Sequence, residues 1–188
     1  MILDIDMLNH AAKTLTEGGV IAYPTEAVWG LGCCPWRREA VQRILNIKSR
    51  PQEKGIILVG VSEEQFEPLL APLGSEQRQR VTDTWPGPYT WIVPDPDNWA
   101  PDWVRGQFDS VAIRVSNHPV VRYLCASKGT PIVSTSANKT GEPPLLTQKD
   151  VEDQLANSVD FIAPGDTGAQ KRPSEIRDLI TGEVVREG

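Results

Sequence analysis

Two cations and a run of hydroxyls have the types and spacing to do chemistry. In "IKSRP", Lys48 and Arg50 lie two residues apart at the end of a helical pattern. In an extended segment that spacing sends both side chains to one side. A planar guanidinium fork and a mobile ammonium placed there can grip a polyphosphate from different directions. The same pair suits a solvated helix end that complements the helix dipole, and composition alone favours that reading. The stretch "VSTSANKTGEPP" (133–144) holds Ser134, Thr135, Ser136 and Thr140, with Asn138 among them. Dense polar runs are usually solvated loops, but this one follows "TPIV", which reads as the end of a buried strand. Loops at strand ends are where α/β proteins expose donors to ligands. Alternation puts Ser134 and Ser136 on one face and turns Thr135 away as packing.

Two further positions are chemically unusual. Arg114 interrupts the apolar strand "VAIRV", sharing a face with Ala112 opposite Val111, Ile113 and Val115. An arginine there either faces solvent or anchors a carboxylate in a cleft, because burial without a partner is costly. In "AYPTEAVWGLG" (22–32), Pro24 stops a strand, and Thr25 and Glu26 precede a second apolar piece with Gly30 and Gly32. These residues serve either as turn formers or as ligand contacts beside a strand end.

Other chemistries find little support. No GxxxxGK[ST] and no GxGxxG after a strand is present. A Ser-His-Asp triad would have to use His10 or His118, and His118, just before Pro119, is placed to cap a helix. The three cysteines form no CxxC pattern, and two histidines are too few for a zinc site. A net charge of −6 argues against indiscriminate nucleic-acid binding. Yet Arg37, Arg38, Arg43, Lys48, Arg50 and Lys54 cluster against only Glu39 and Glu53. A local positive face on an acidic chain suits a discrete anionic ligand.

Periodicity supplies the elements that must hold these residues. Asp6 is placed to cap a helix carrying Leu8, Ala11, Ala12 and Leu15, ended by Gly18–Gly19. Helices are also expected near 38–47, 63–70, 75–84, 118–127 and 147–156. Strands are expected at 20–23, 55–61, 89–93, 110–115, 130–135 and 159–163, with a terminal hairpin turning at Thr181–Gly182. With 16 prolines, 15 glycines and 39% hydrophobic residues, 188 residues fit one α/β domain with a mixed sheet and flanking helices. No apolar run reaches a membrane span, and the N-terminus lacks the order of a signal peptide, so the cytoplasm is expected.

Seven motifs, "YPTEAVWGLG", "KSRP", "WPGPYT", "VAIRV", "STSANKTGEPP", "PSEI" and "VREG", occur in order over nearly the full length. Together they resemble the TsaC (YrdC-like) threonylcarbamoyl-AMP synthases in their short single-domain bacterial form. The resemblance implies that residues 1–188 form one YrdC-like domain whose twisted sheet lines a concave, positively lined cleft. It implies the conversion of L-threonine, bicarbonate (or CO2) and ATP to threonylcarbamoyl-AMP and pyrophosphate, with Mg2+ accompanying ATP and no organic cofactor. The product would pass to the tRNA threonylcarbamoyl-transfer proteins TsaB, TsaD and TsaE. By similarity, Thr25, Arg114, Ser134 and Ser174 contact threonine, with Arg114 on its carboxylate. Lys48 and Arg50 would be the catalytic phosphate clamp, and Lys54, Ser110, Ser136, Asn138, Pro144 and Arg186 would complete the ATP site. No carboxylate cage for a metal is evident, although Glu26 and Asp166 are conceivable helpers.

The chain departs from the pattern at Ala27, Trp29, Lys54 and Ser116. At Val59, longer relatives carry a histidine near threonine. The alternative from another class is a non-catalytic RNA-binding protein of tRNA or ribosome maturation, making an RNA contact through the same basic face. It lacks the signatures of the common RNA modules. A carbamoyl-transfer or hydrolase relative is a third option.

Overall fold

Asp4, rather than Asp6, starts the first helix, α1 (Ile5–Thr16). Its extended backbone lets the carboxylate accept from the Met7 amide at 3.1 Å. Asp6 falls two residues later, within the first turn, where its charge complements the dipole instead. The computed structural model describes residues 4–188. Six further helices follow: α2 (Arg38–Lys48), α3 (Glu67–Leu70), α4 (Ser75–Thr84), α5 (Asp102–Arg105), α6 (Pro119–Lys128) and α7 (Gln148–Leu155). Short 3-10 turns cover Gln52–Lys54 and Glu63–Phe66. His118 stands at the N-cap of α6, as its place before Pro119 suggests, although its side chain makes no capping bond.

Nine strands form one sheet: β1 (Ile21–Pro24), β2 (Trp29–Gly32), β3 (Ile57–Gly60), β4 (Tyr89–Pro94), β5 (Ser110–Val115), β6 (Ile132–Ser136), β7 (Phe161–Ile162), β8 (Glu175–Asp178) and β9 (Val184–Arg186). Their order is β7-β1-β2-β6-β3-β5-β4-β8-β9. Pairings β1–β7, β3–β5 and β4–β8 are parallel and the other five antiparallel, so the sheet is mixed as expected. Two elements escape the periodicity. "WGLG" is a strand, hairpinned to β1 across Thr25–Val28, and Asp102–Arg105 forms one helical turn. β7 is shorter than the apolar run 159–163 because Asp160 turns its carboxylate back to the Val20 amide (2.7 Å) and to Arg43.

The two faces of the sheet are covered unequally. Ala22, Leu31, Leu58, Ile113 and Val133 pack with Val41 and Ile44 of α2 in the larger core. On the other face Ile21, Tyr23, Val59 and Ile132 pack against Leu8 and Leu15 of α1 and Val121 and Leu124 of α6. Each such Leu or Ile fully removed from water contributes roughly 2 kcal/mol. Val59 pairs in register with both Ile132 and Arg114, so all three side chains share that second face. Helices α1 and α6 cover only part of this face. The uncovered part, where Ile57, Ser134, Ala112, Arg114 and Ile92 point, is a cavity.

Candidate active site

The cavity measures about 790 Å3. All twelve residues singled out from the sequence border it: Thr25, Lys48, Arg50, Lys54, Ser110, Arg114, Ser134, Ser136, Asn138, Pro144, Ser174 and Arg186. Six basic side chains (with Arg105) line it against one carboxylate, Asp178, on a chain of net charge −6. Asp178 is committed elsewhere, accepting from the Ile180 and Thr181 amides at 2.8 and 2.9 Å within the β8–β9 turn. The space therefore selects anions.

The "KSRP" cations are placed by a helix end rather than by an extended strand. Ser49 adopts a left-handed conformation (φ 50°), with its amide on the Asn46 carbonyl and the Arg50 amide on the Leu45 carbonyl. That is a Schellman turn made without glycine, at a cost of about 1 kcal/mol. It sends the two side chains to different tasks. Lys48, only 3% exposed, points its ammonium at the Ser136 and Asn138 carbonyls, the latter at 2.8 Å. Burial first, and Arg50 second, push its pKa down to about 8. Asn138 completes this loop anchor, donating to the Glu142 carbonyl at 2.6 Å while its Oδ1 faces Lys48.

Arg50 is braced against the Gly55 carbonyl through Nε (3.2 Å) and Nη2 (2.9 Å). Arg186 donates from Nη2 to the Ser174 carbonyl at 2.8 Å. Its pKa is lowered by burial and then by the charges of Arg50 and Arg114, so the three guanidinium groups converge. Lys54 rises from the 3-10 turn beside them.

The wall around Thr25 and Arg114 is more enclosed. Thr25 opens the β1–β2 turn, its hydroxyl donating to the Val28 carbonyl at 2.7 Å. Next to it, Glu26 accepts from Arg114 Nη2 (2.8 Å), Ser116 Oγ (2.7 Å) and the Asn117 amide (3.1 Å). Segment 164–173 straps over this turn. The Gly168 and Gln170 amides donate to the Thr25 and Glu26 carbonyls, and the His118 ring meets the Asp166 carbonyl at 3.1 Å. The strap delivers Ser174, whose hydroxyl bonds the fully buried Thr90 at 2.8 Å. Ser134 and Ser136 look into the cavity from β6, with Ser110 at the start of β5 and Pro144 beyond the loop.

A model of the Sua5/YciO/YrdC family, described as "Telomere recombination", matches residues 13–188. The chain belongs to the Sua5/YciO/YrdC family. Within that family it is 51% identical over 181 residues to the threonylcarbamoyl-AMP synthase of Pseudomonas putida, covering 96% of this chain and 97% of that one. It is 50% identical over 179 residues to the threonylcarbamoyl-AMP synthase of Cellvibrio japonicus, covering 95% and 94%. Among solved structures, P. abyssi Sua5 complexed with L-threonine superposes with a TM-score of 0.85 at 31% identity. That match covers 92% of this chain and 51% of the longer Sua5 chain.

Three expectations change within this family frame. Lys48 and Arg50 share the cavity, but not by extended alternation, and the Lys48 ammonium is held by backbone carbonyls. Thr135 borders the cavity as well, so alternation does not reserve it for packing. Val59 is fully buried in the α1–α6 core and is no part of the cavity wall. Of the two conceivable metal helpers, Glu26 accepts from Arg114, Ser116 and Asn117, and the Asp166 carbonyl meets His118. Among the described residues, no three His, Cys, Asp or Glu side chains gather into a ligand set. Gln170, which lines the cavity from the strap, had no local signal in the sequence.

Proposed function

We propose that this chain is a threonylcarbamoyl-AMP synthase, joining L-threonine, CO2 from bicarbonate, and ATP into threonylcarbamoyl-AMP with release of pyrophosphate. The observation that carries the reading is a cavity wall of six basic side chains, in a chain about half identical to named synthases. Among the described residues only Arg105 and Arg114 of the six are ion-paired, to Asp95 and Glu26. Threonine's amine adds to CO2 and loses a proton, giving a carbamate that is already an anionic nucleophile. Its oxygen attacks the α-phosphorus, and pyrophosphate carries away the bond electrons. This chemistry asks the protein for placement and charge neutralisation more than for proton transfer, which agrees with a cavity lined by no histidine.

In this reading Arg50, Lys54 and Arg186 face the triphosphate and Lys48 holds the loop that bears Ser136 and Asn138. Arg114, with Thr25, Ser134 and Ser174, receives the amino acid. Mg2+ accompanying ATP would neutralise part of the triphosphate charge, beside Arg50, Lys54 and Arg186. The product serves threonylcarbamoyladenosine formation beside the tRNA anticodon, through the cytoplasmic transfer proteins TsaB, TsaD and TsaE. Purified protein is expected to release pyrophosphate from ATP only with threonine and bicarbonate both present. Release that ignores threonine, or none at all (the behaviour of a protein that only binds RNA), would overturn the reading.

A further inference from the structure

Glu26 is a buried carboxylate at the rim of the cavity, and the proposed chemistry does not use it. It is 8% exposed and accepts three hydrogen bonds, from Arg114, Ser116 and the Asn117 amide. These bonds hold the carboxylate in one orientation, toward Arg114. Burial, the largest influence on it, pushes its pKa up. Arg114 and the hydrogen bonds from Ser116 and Asn117 outweigh that, holding the carboxyl below its usual range. Glu26 is therefore a carboxylate at neutral pH, beside a cation that lines the cavity.

The geometry of the pair is one-sided. Only Nη2 of Arg114 is bonded to Glu26, and no other hydrogen bond ties the guanidinium to the described residues. Five N–H donors sit on a rigid plane, so fixing one nitrogen orients the rest. Glu26 is itself pinned from the loop after β5 by Ser116 and Asn117. Its backbone carbonyl is tied to the strap by Gln170. The carboxylate is thus a fixed post, and the arginine swings from it into the cavity.

Building on the synthase reading, we infer that Glu26 is a positioning residue for amino-acid recognition: it holds Arg114 so that the unbonded guanidinium edge meets the substrate carboxylate. The pair also lowers the net field at this end. A bidentate carboxylate partner is then favoured by shape more than by charge, and a phosphate that would otherwise compete for the arginine is discouraged.

The test measures threonine binding by calorimetry and both KM values by pyrophosphate release, on the full chain and its Glu26→Gln, Glu26→Asp, Ser116→Ala and Arg114→Ala variants. Glu26→Gln keeps the shape and removes the charge. It is expected to weaken threonine binding about 10-fold or more while KM for ATP stays within about twofold. Glu26→Asp recovers part of the loss. Ser116→Ala loosens the post without touching Arg114 and gives about a 3-fold loss in the same direction.

Parallel rises in both KM values, or threonine binding within twofold of wild type in Glu26→Gln and Ser116→Ala, would overturn the inference. Should Glu26→Gln fail to fold, Ser116→Ala decides alone. If Arg114→Ala leaves threonine binding intact, the assignment of Arg114 fails, and Glu26 with it. If the wild type binds threonine but releases no pyrophosphate, the synthase reading fails while the calorimetry still scores Glu26.

Discussion

In the cavity wall Arg114 is buried and already joined to Glu26 at 2.8 Å. Arg50, Lys54 and Arg186 line the same space, and among the described residues none of them has a carboxylate within ion-pair distance. The difference separates two kinds of recognition. A buried, paired guanidinium has little free charge and a defined plane, which suits one carboxylate in one orientation. Unpaired cations braced only by carbonyls keep their charge available, which suits a triphosphate whose charge shifts as pyrophosphate leaves. Two anions that repel each other can share one cavity because their cradles differ in stored charge.

The hardest test of the contrast is Arg50→Ala. Loss of one charge-assisted clamp on phosphate corresponds to about 2–3 kcal/mol, so kcat/KM for ATP should fall about 30- to 160-fold. Threonine binding by calorimetry should stay within about threefold, and an equal loss for both substrates would break the division into two ends. Titration supplies the next largest effect. Lys48 is charged below its pKa of about 8 and neutral above it. As the pH rises through 8 its hold on the Ser136 and Asn138 carbonyls weakens, and kcat/KM for ATP should decline, by about tenfold at pH 9. Lys48→Arg, which stays protonated, should flatten that limb relative to its own optimum. A limb that persists unchanged in Lys48→Arg belongs to another group.

A smaller change sharpens the threonine end. A Cβ on Gly168 would stand 2.7 Å from the Glu26 carbonyl oxygen, too close for any side chain without moving the strap. Gly168→Ala should therefore cost about 1–3 kcal/mol in thermal unfolding. It should raise KM for threonine about fivefold, with KM for ATP nearly unchanged. A variant as stable and as active as wild type would show that the strap does not support this end.

How much of this was legible beforehand depends on the range of the interactions. Alternation correctly put Arg114 on a face with Ala112, opposite Val111, Ile113 and Val115, because a strand's period is local. Order and spacing of seven motifs brought twelve residues to one cavity only through the family resemblance. The Glu26–Arg114 pair spans 88 positions and leaves no trace in either residue's neighbourhood. The left-handed Ser49 was equally silent, since serine has no particular preference for that conformation. Asp4 and Asp6 both satisfy the capping preference, and only backbone geometry decides between them.

Ionic strength gives the smallest expected effect and bears most directly on stored charge. Between about 0.01 M and 0.15 M salt the screening length shortens from about 30 Å to about 8 Å. Under the proposed assignment Arg50, Lys54 and Arg186 would attract ATP partly through unpaired charge, so KM for ATP should rise about threefold across that range. The Arg114 end presents a cation already balanced by Glu26 at 2.8 Å and sheltered from solvent, so KM for threonine should move less than about 1.5-fold. Glu26→Gln unbalances that cation, and its threonine KM should then acquire the salt dependence that the wild type lacks. If threonine and ATP respond to salt equally in the wild type, pairing by Glu26 does not distinguish the two ends, and the contrast reduces to one of burial alone.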